Sequence, residues 1–136
     1  MQIDFNNQEL SFMFGMVERS KTKLAATNPK PHEENGKILA VLNSIEEKLK
    51  WTISLPKNEG PVTLNRVEAK LLRNSLEIAE NMLKLAKEQY EKLDESDTKF
   101  KDENGRRKAD YVNNININCS IVNGTRKKIE AKLWTA

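Results

Sequence analysis

Apolar residues recur along this chain at intervals of three and four, broken by short stretches of simple alternation, and those two periods divide it into elements. Met1 to Phe5 alternates, with Ile3 and Phe5 on one side, and reads as a short extended segment. Asn7 offers a side-chain oxygen to the first free amides of a helix that starts near Gln8. Leu10, Met13, Val17 and Leu24, with Phe14 beside them, carry that helix to about Ala26. Phe12 and Met16 flank the stripe, so the start of the helix is apolar on more than one face. It either enters the core deeply or meets another chain.

Asn28-Pro29-Lys30-Pro31 ends the first helix, because proline has no amide donor and disfavours helix in the residue before it. A second helix, over about 35–50, carries Ile38, Leu42, Ile45 and Leu49 on one face and Glu46, Glu47, Lys48 and Lys50 on its back. Trp51 to Leu55 alternates again and reads as a short extended piece able to pair with Ile3 to Phe5. Residues 52–63 otherwise form a turn-rich connection holding Pro56, Asn58, Gly60 and Pro61.

The third helix, over about 65–93, contains neither proline nor glycine. Thr63 or Asn65 caps it, with Glu68 three residues after Asn65 in the position of a capping-box acid. Ala69, Leu72, Leu76, Ala79, Leu83, Ala86, Tyr90 and Leu93 form one stripe at heptad spacing. Leu64, Val67, Leu71, Ile78, Met82 and Leu85 form a second beside it, so the helix is expected to contact more than one neighbour. The polar back pairs Glu80 with Lys84 and Glu88 with Lys92. After a charge-dense loop over about 94–105, a last helix over about 106–134 places Val112, Ile115, Cys119, Val122, Ile129 and Leu133 on one face. Arg126 interrupts that series, and Gly124 marks a kink or break. The Asn-Ile alternation from Asn113 to Asn118 also fits a strand, but the helical spacing persists for three heptads and the alternation for six residues.

Together these elements predict one all-α domain over residues 1–136, resembling a four-helix bundle. Two short N-terminal helices precede a long antiparallel hairpin, and the loops fall at about 27–34, 52–63 and 94–105.

Composition narrows the function. The chain has 32% charged and 38% hydrophobic residues and a formal charge of +3, too small to imply a nucleic-acid partner by itself. One Cys excludes an internal disulfide and points to a reducing, cytoplasmic compartment. The longest apolar run, Phe12 to Val17, is too short to span a membrane, and nothing resembles a signal peptide. Seventeen Lys against six Arg, with fifteen Asn, suggest an AT-rich bacterial genome or one of its phages.

Candidate chemistry is sparse. His32 is the only histidine and sits in the proline linker, and Cys119 lies on the apolar stripe of the last helix. One Cys and one His cannot supply four zinc ligands. The five glycines stand apart, so no phosphate-cradling loop is present, and adjacent carboxylates such as Glu33-Glu34 and Asp102-Glu103 point to different faces or to solvent. No cofactor, metal or catalytic residue is expected, and the chain does not read as an enzyme.

Two binding readings remain. Phe12, Met13, Phe14 and Met16 surround Gly15, and Trp51 and Trp134 add large anchors near segment ends; these are the candidates for a protein interface. With the heptads they predict a non-catalytic interaction module, a regulator or inhibitor that binds another protein and forms a dimer or higher homo-oligomer. The alternative is a nucleic-acid-binding regulator using Arg106, Arg107, Lys108, Arg126, Lys127 and Lys128. From Arg106 to Ala136 there are seven Lys/Arg against two Asp/Glu.

Overall fold

A computed structural model describes residues 1–27, 33–92 and 108–135. Two short strands and four helices follow in the order β1 (Gln2–Phe5), α1 (Asn7–Thr27), α2 (Glu33–Ile53), β2 (Gly60–Thr63), α3 (Arg66–Glu91) and α4 (Lys108–Thr135). The all-α, bundle-like architecture is present, with α3 packed along α4 as its longest seam and α1 along α2. None of the described helices is long and apolar enough to cross a membrane.

Two helices begin with the same device. The Asn6 side chain accepts from the Glu9 amide at 2.9 Å, and the Glu9 carboxylate accepts from the Asn6 amide at 2.9 Å. Asn65 and Glu68 repeat this at α3, at 2.8 and 2.9 Å. Each box satisfies two backbone donors that the first turn of a helix leaves without partners. The α1 cap is therefore Asn6; Asn7 lies inside the helix, and its Nδ2 donates to the Asn58 carbonyl at 3.0 Å.

The strands correct the expected pairing. β1 pairs antiparallel with β2, Ile3 opposite Val62 and Phe5 opposite Gly60, not with the Trp51–Leu55 stretch. Trp51 to Ile53 close α2 instead, and the Thr52 hydroxyl bonds back to the Lys48 carbonyl at 3.1 Å. The turn between α2 and β2 passes through Asn58 at φ 55 and Gly60 at φ 152, conformations that asparagine and glycine tolerate. Ile3, Phe5 and Val62 are all buried, so the ribbon closes one end of the core.

That core joins Leu10, Met13 and Val17 of α1 with Ile45 and Leu49 of α2, Leu72 and Leu76 of α3, and Val122 and Ile129 of α4. α4 runs unbroken through Gly124. A Cβ there would lie 3.8 Å from a Glu9 carboxylate oxygen, an ordinary contact. Farther along the hairpin, Tyr90 stacks on Tyr111 with ring centroids 5.0 Å apart.

Candidate protein-docking face

The second stripe of α3 is only partly used. Leu71 packs against the core, but Ile78, Met82 and Leu85 are 62%, 66% and 59% exposed, and Val67 is also exposed. At helical spacing, Ile78, Met82 and Leu85 lie on the side of α3 turned away from α4, which takes Leu72, Leu76 and Glu80. The stripe is thus covered at Leu64 and Leu71 and bare at Val67, Ile78, Met82 and Leu85.

Ile78 and Met82 also form one wall of a groove of about 720 Å³ between α1 and the α3–α4 hairpin. The opposing wall is a row on α1 at spacings of four, three and four: Phe12, Met16, Arg19 and Lys23. Phe12 is half-buried and Met16 buried, so their faces rest on the core and only edges reach the groove. Asn118 of α4 lines it as well. A second hollow continues the groove past Ser20, Lys23 and Ser75 toward Leu24, Ile38 and Leu42.

The other interface candidates scatter. Met13 is fully buried in the core and is not available to a partner, and Phe14 packs half-buried against that core. Trp51 and Trp134 are 66% and 73% exposed, but neither lines the groove. Only Phe12 and Met16 among the six border the face that the structure leaves open.

The basic candidates are also divided. Arg106 and Arg107 lie outside the described residues, as does His32, and Lys108 opens α4. Arg126 fills the core-facing position that breaks the apolar series of α4. Its guanidinium binds Glu80 at 3.0 Å and Glu130 at 2.9 Å, and Arg73 reaches Glu130 at 3.0 Å. Hydrogen bonding to Glu130 raises the Arg126 pKa, burial works against that, and Glu80 adds to the rise. Lys128 binds Glu9 at 2.7 Å. Two of the six cations thus hold helices together, while Lys127 is exposed. Glu80, expected on a polar back, is buried at the α3–α4 seam, though it keeps its contact to Lys84 at 3.2 Å.

The capping acids are joints too. Glu68 accepts from Ser44 at 2.7 Å and binds Lys48 at 2.6 Å, tying α3 to α2. Burial pushes its carboxyl up, but the Asn65 amide, Lys48 and Ser44 together outweigh that and hold it below the ordinary glutamate value. For Glu80, burial is likewise outweighed, by hydrogen bonding from Lys84 and the charge of Arg126. Every buried side-chain nitrogen and oxygen among the described residues has a partner. Cys119 is half-buried, and no group of three or more metal-binding side chains gathers among the described residues.

The face combines an apolar row and groove with cations on one edge, an arrangement suited to packing against another surface. No protein family, curated protein or solved structure matches the chain.

Proposed function

We propose that this chain is a small, non-catalytic helical module that acts by binding another protein through the α1–α3 groove and the row beside it. One observation carries the reading: Ile78, Met82 and Leu85 are each more than half exposed on a single helix face. Scattered apolar residues are normal on a surface, but a contiguous row beside an apolar groove marks an interaction site. A module of this kind regulates or inhibits by occupying its partner. A homo-oligomer is the special case in which that partner is a second copy.

The test replaces the row, not the residues that support the core. Ile78→Ser, Met82→Ser and Leu85→Ser together should change stability little, because each side chain is largely solvated already. Capture from cells that make the protein, compared by mass spectrometry, should lose its partners with this triple variant and keep them with Trp134→Ser. An unchanged partner set with the triple variant would reject this face.

A further inference from the structure

The bare row of α3 runs between two unlike flanks. We infer that a second copy of this chain covers it, α3 packing antiparallel on α3 about a two-fold axis near Asn81, an inference that rests on the docking reading above.

The charged flank singles out this occupant. At strict seven-residue intervals α3 places Lys70, Glu77, Lys84 and Glu91, alternating in sign, on the side of the row turned away from α1. The opposite flank, Ser75, Met82 and Gln89, carries no charge, and Ser75 and Met82 line the groove against α1. When two identical helices meet antiparallel, like flanks face each other; when they meet parallel, the charged flank faces the neutral one. An antiparallel pair centred near Asn81 sets Glu77 opposite Lys84 of the second copy, and Lys70 opposite Glu91 of the second copy. Two-fold symmetry repeats both matches, so every charge in the series meets its opposite. Parallel pairing makes none of these matches.

These charges already have neighbours on their own helix. Arg73 contacts Glu77, Glu80 binds Lys84 at 3.2 Å, and Lys87 approaches Glu91 at 3.9 Å. Such contacts leave room for another: the side chains of Glu77, Lys84 and Glu91 remain 48%, 62% and 52% exposed. A carboxylate has two accepting oxygens and an ammonium three donors. What selects a second copy is the order of signs along the flank, which an unrelated surface has no reason to mirror.

The row itself agrees. Ile78 and Leu85 lie on either side of Asn81 and face each other across the axis, with Met82 beside them. Asn81 is exposed and falls on the axis, where its amide can both donate to and accept from its own copy. A polar residue at such a position fixes register and orientation in paired helices. From Ile78 to Leu85 is only about 10 Å, so the dimer is weak and forms with rising concentration.

Light scattering on the full chain should show the mass rising from one copy to two as concentration approaches about 1 mM, the weak end of specific association. Glu77→Lys and Lys84→Glu, both at exposed positions, should each weaken the dimer about tenfold, with circular dichroism confirming that the helices persist. Mixed in equal amounts, the two variants should associate again, because each supplies the signs the other needs. The double variant should dimerise alone, and Ile78→Ser with Met82→Ser should stay monomeric. A chain that is monomeric throughout, or a dimer that ignores the charge reversals or is not restored by mixing, would overturn the inference. Each of those results leaves the docking reading standing, whereas a mass and a captured partner set both untouched by Ile78→Ser with Met82→Ser remove both.

Discussion

Glu9 and Glu68 each complete a helix cap and bind a lysine on another helix, and both are almost fully buried. A carboxylate removed from water is stable only when its oxygens are occupied, and here backbone amides, hydroxyls and ammonium groups occupy them. Acid should act through Glu68 and Glu80. Glu68 and Glu80 titrate below the ordinary glutamate value in the native chain, so the unfolded state binds more protons as pH falls. Their contribution is complete above the unfolded glutamate value, about 4.3, and is lost as pH drops through the lower native values. Melting temperature should therefore hold down to about pH 5 and then decline. The Glu68→Gln, Glu80→Gln variant should start lower and decline less steeply; parallel curves would show that neither carboxylate is linked to folding. Arg126 shows how much of this was legible in the sequence. Its position in the apolar series was plain, but a cation there looks like an available phosphate ligand until Glu80 and Glu130, on two different helices, are seen to surround it. Sequence spacing locates a charge on a face and leaves open which opposite charge the fold brings to it.

Helix starts were more readable than strands. Asn65 and Glu68 stand at capping-box spacing and form the box, so Asn65→Ala should cost about 1 kcal/mol and lower the melting temperature by about 2–4 °C. Asn6→Ala should cost a similar amount, and no loss in either case would show that water replaces the cap. Asn6 and Glu9 have the same spacing, but Asn7 beside them is an equally good cap by residue type and hid the true boundary. The ribbon was half visible. β1 alternates cleanly, whereas β2 offers a single buried residue, Val62, between Pro61 and Thr63, too little for a period of two to register. Trp51 to Leu55 alternates better, yet α2 has no proline before Pro56 and continues through Thr52, whose hydroxyl finds a carbonyl within the helix. In both places neighbouring structure overrode the local pattern.

Across the molecule, burial is uneven along the hairpin. The α3–α4 base holds Ala69, Leu72, Leu76, Val122 and Ile129, none more than 1% exposed, while the far end is held by partly buried groups such as Leu83 and the Tyr90–Tyr111 stack. Amide hydrogen exchange should be slowest over Ala69–Leu76 and Val122–Leu133 and faster near Tyr90 and Tyr111, since local opening is easiest where few apolar contacts are lost. Uniform protection would mean that the hairpin opens only with the whole molecule. The bundle architecture was legible because heptad spacing survives over two long helices. The groove was not, because it is a gap between a row on α1 and a row on α3 more than fifty residues away in the chain. Ile78, Met82 and Leu85 continue the spacing that buries Leu71, and periodicity says which side of a helix is oily without saying what covers it. The union of Glu9 with Lys128 has a further consequence in time. During synthesis α1 emerges with both members of its capping box, Asn6 and Glu9, but the ammonium that pairs with the Glu9 carboxylate is encoded 119 positions later. The buried acid of α1 thus gains its ammonium partner only when α4 has been made and docked beside it.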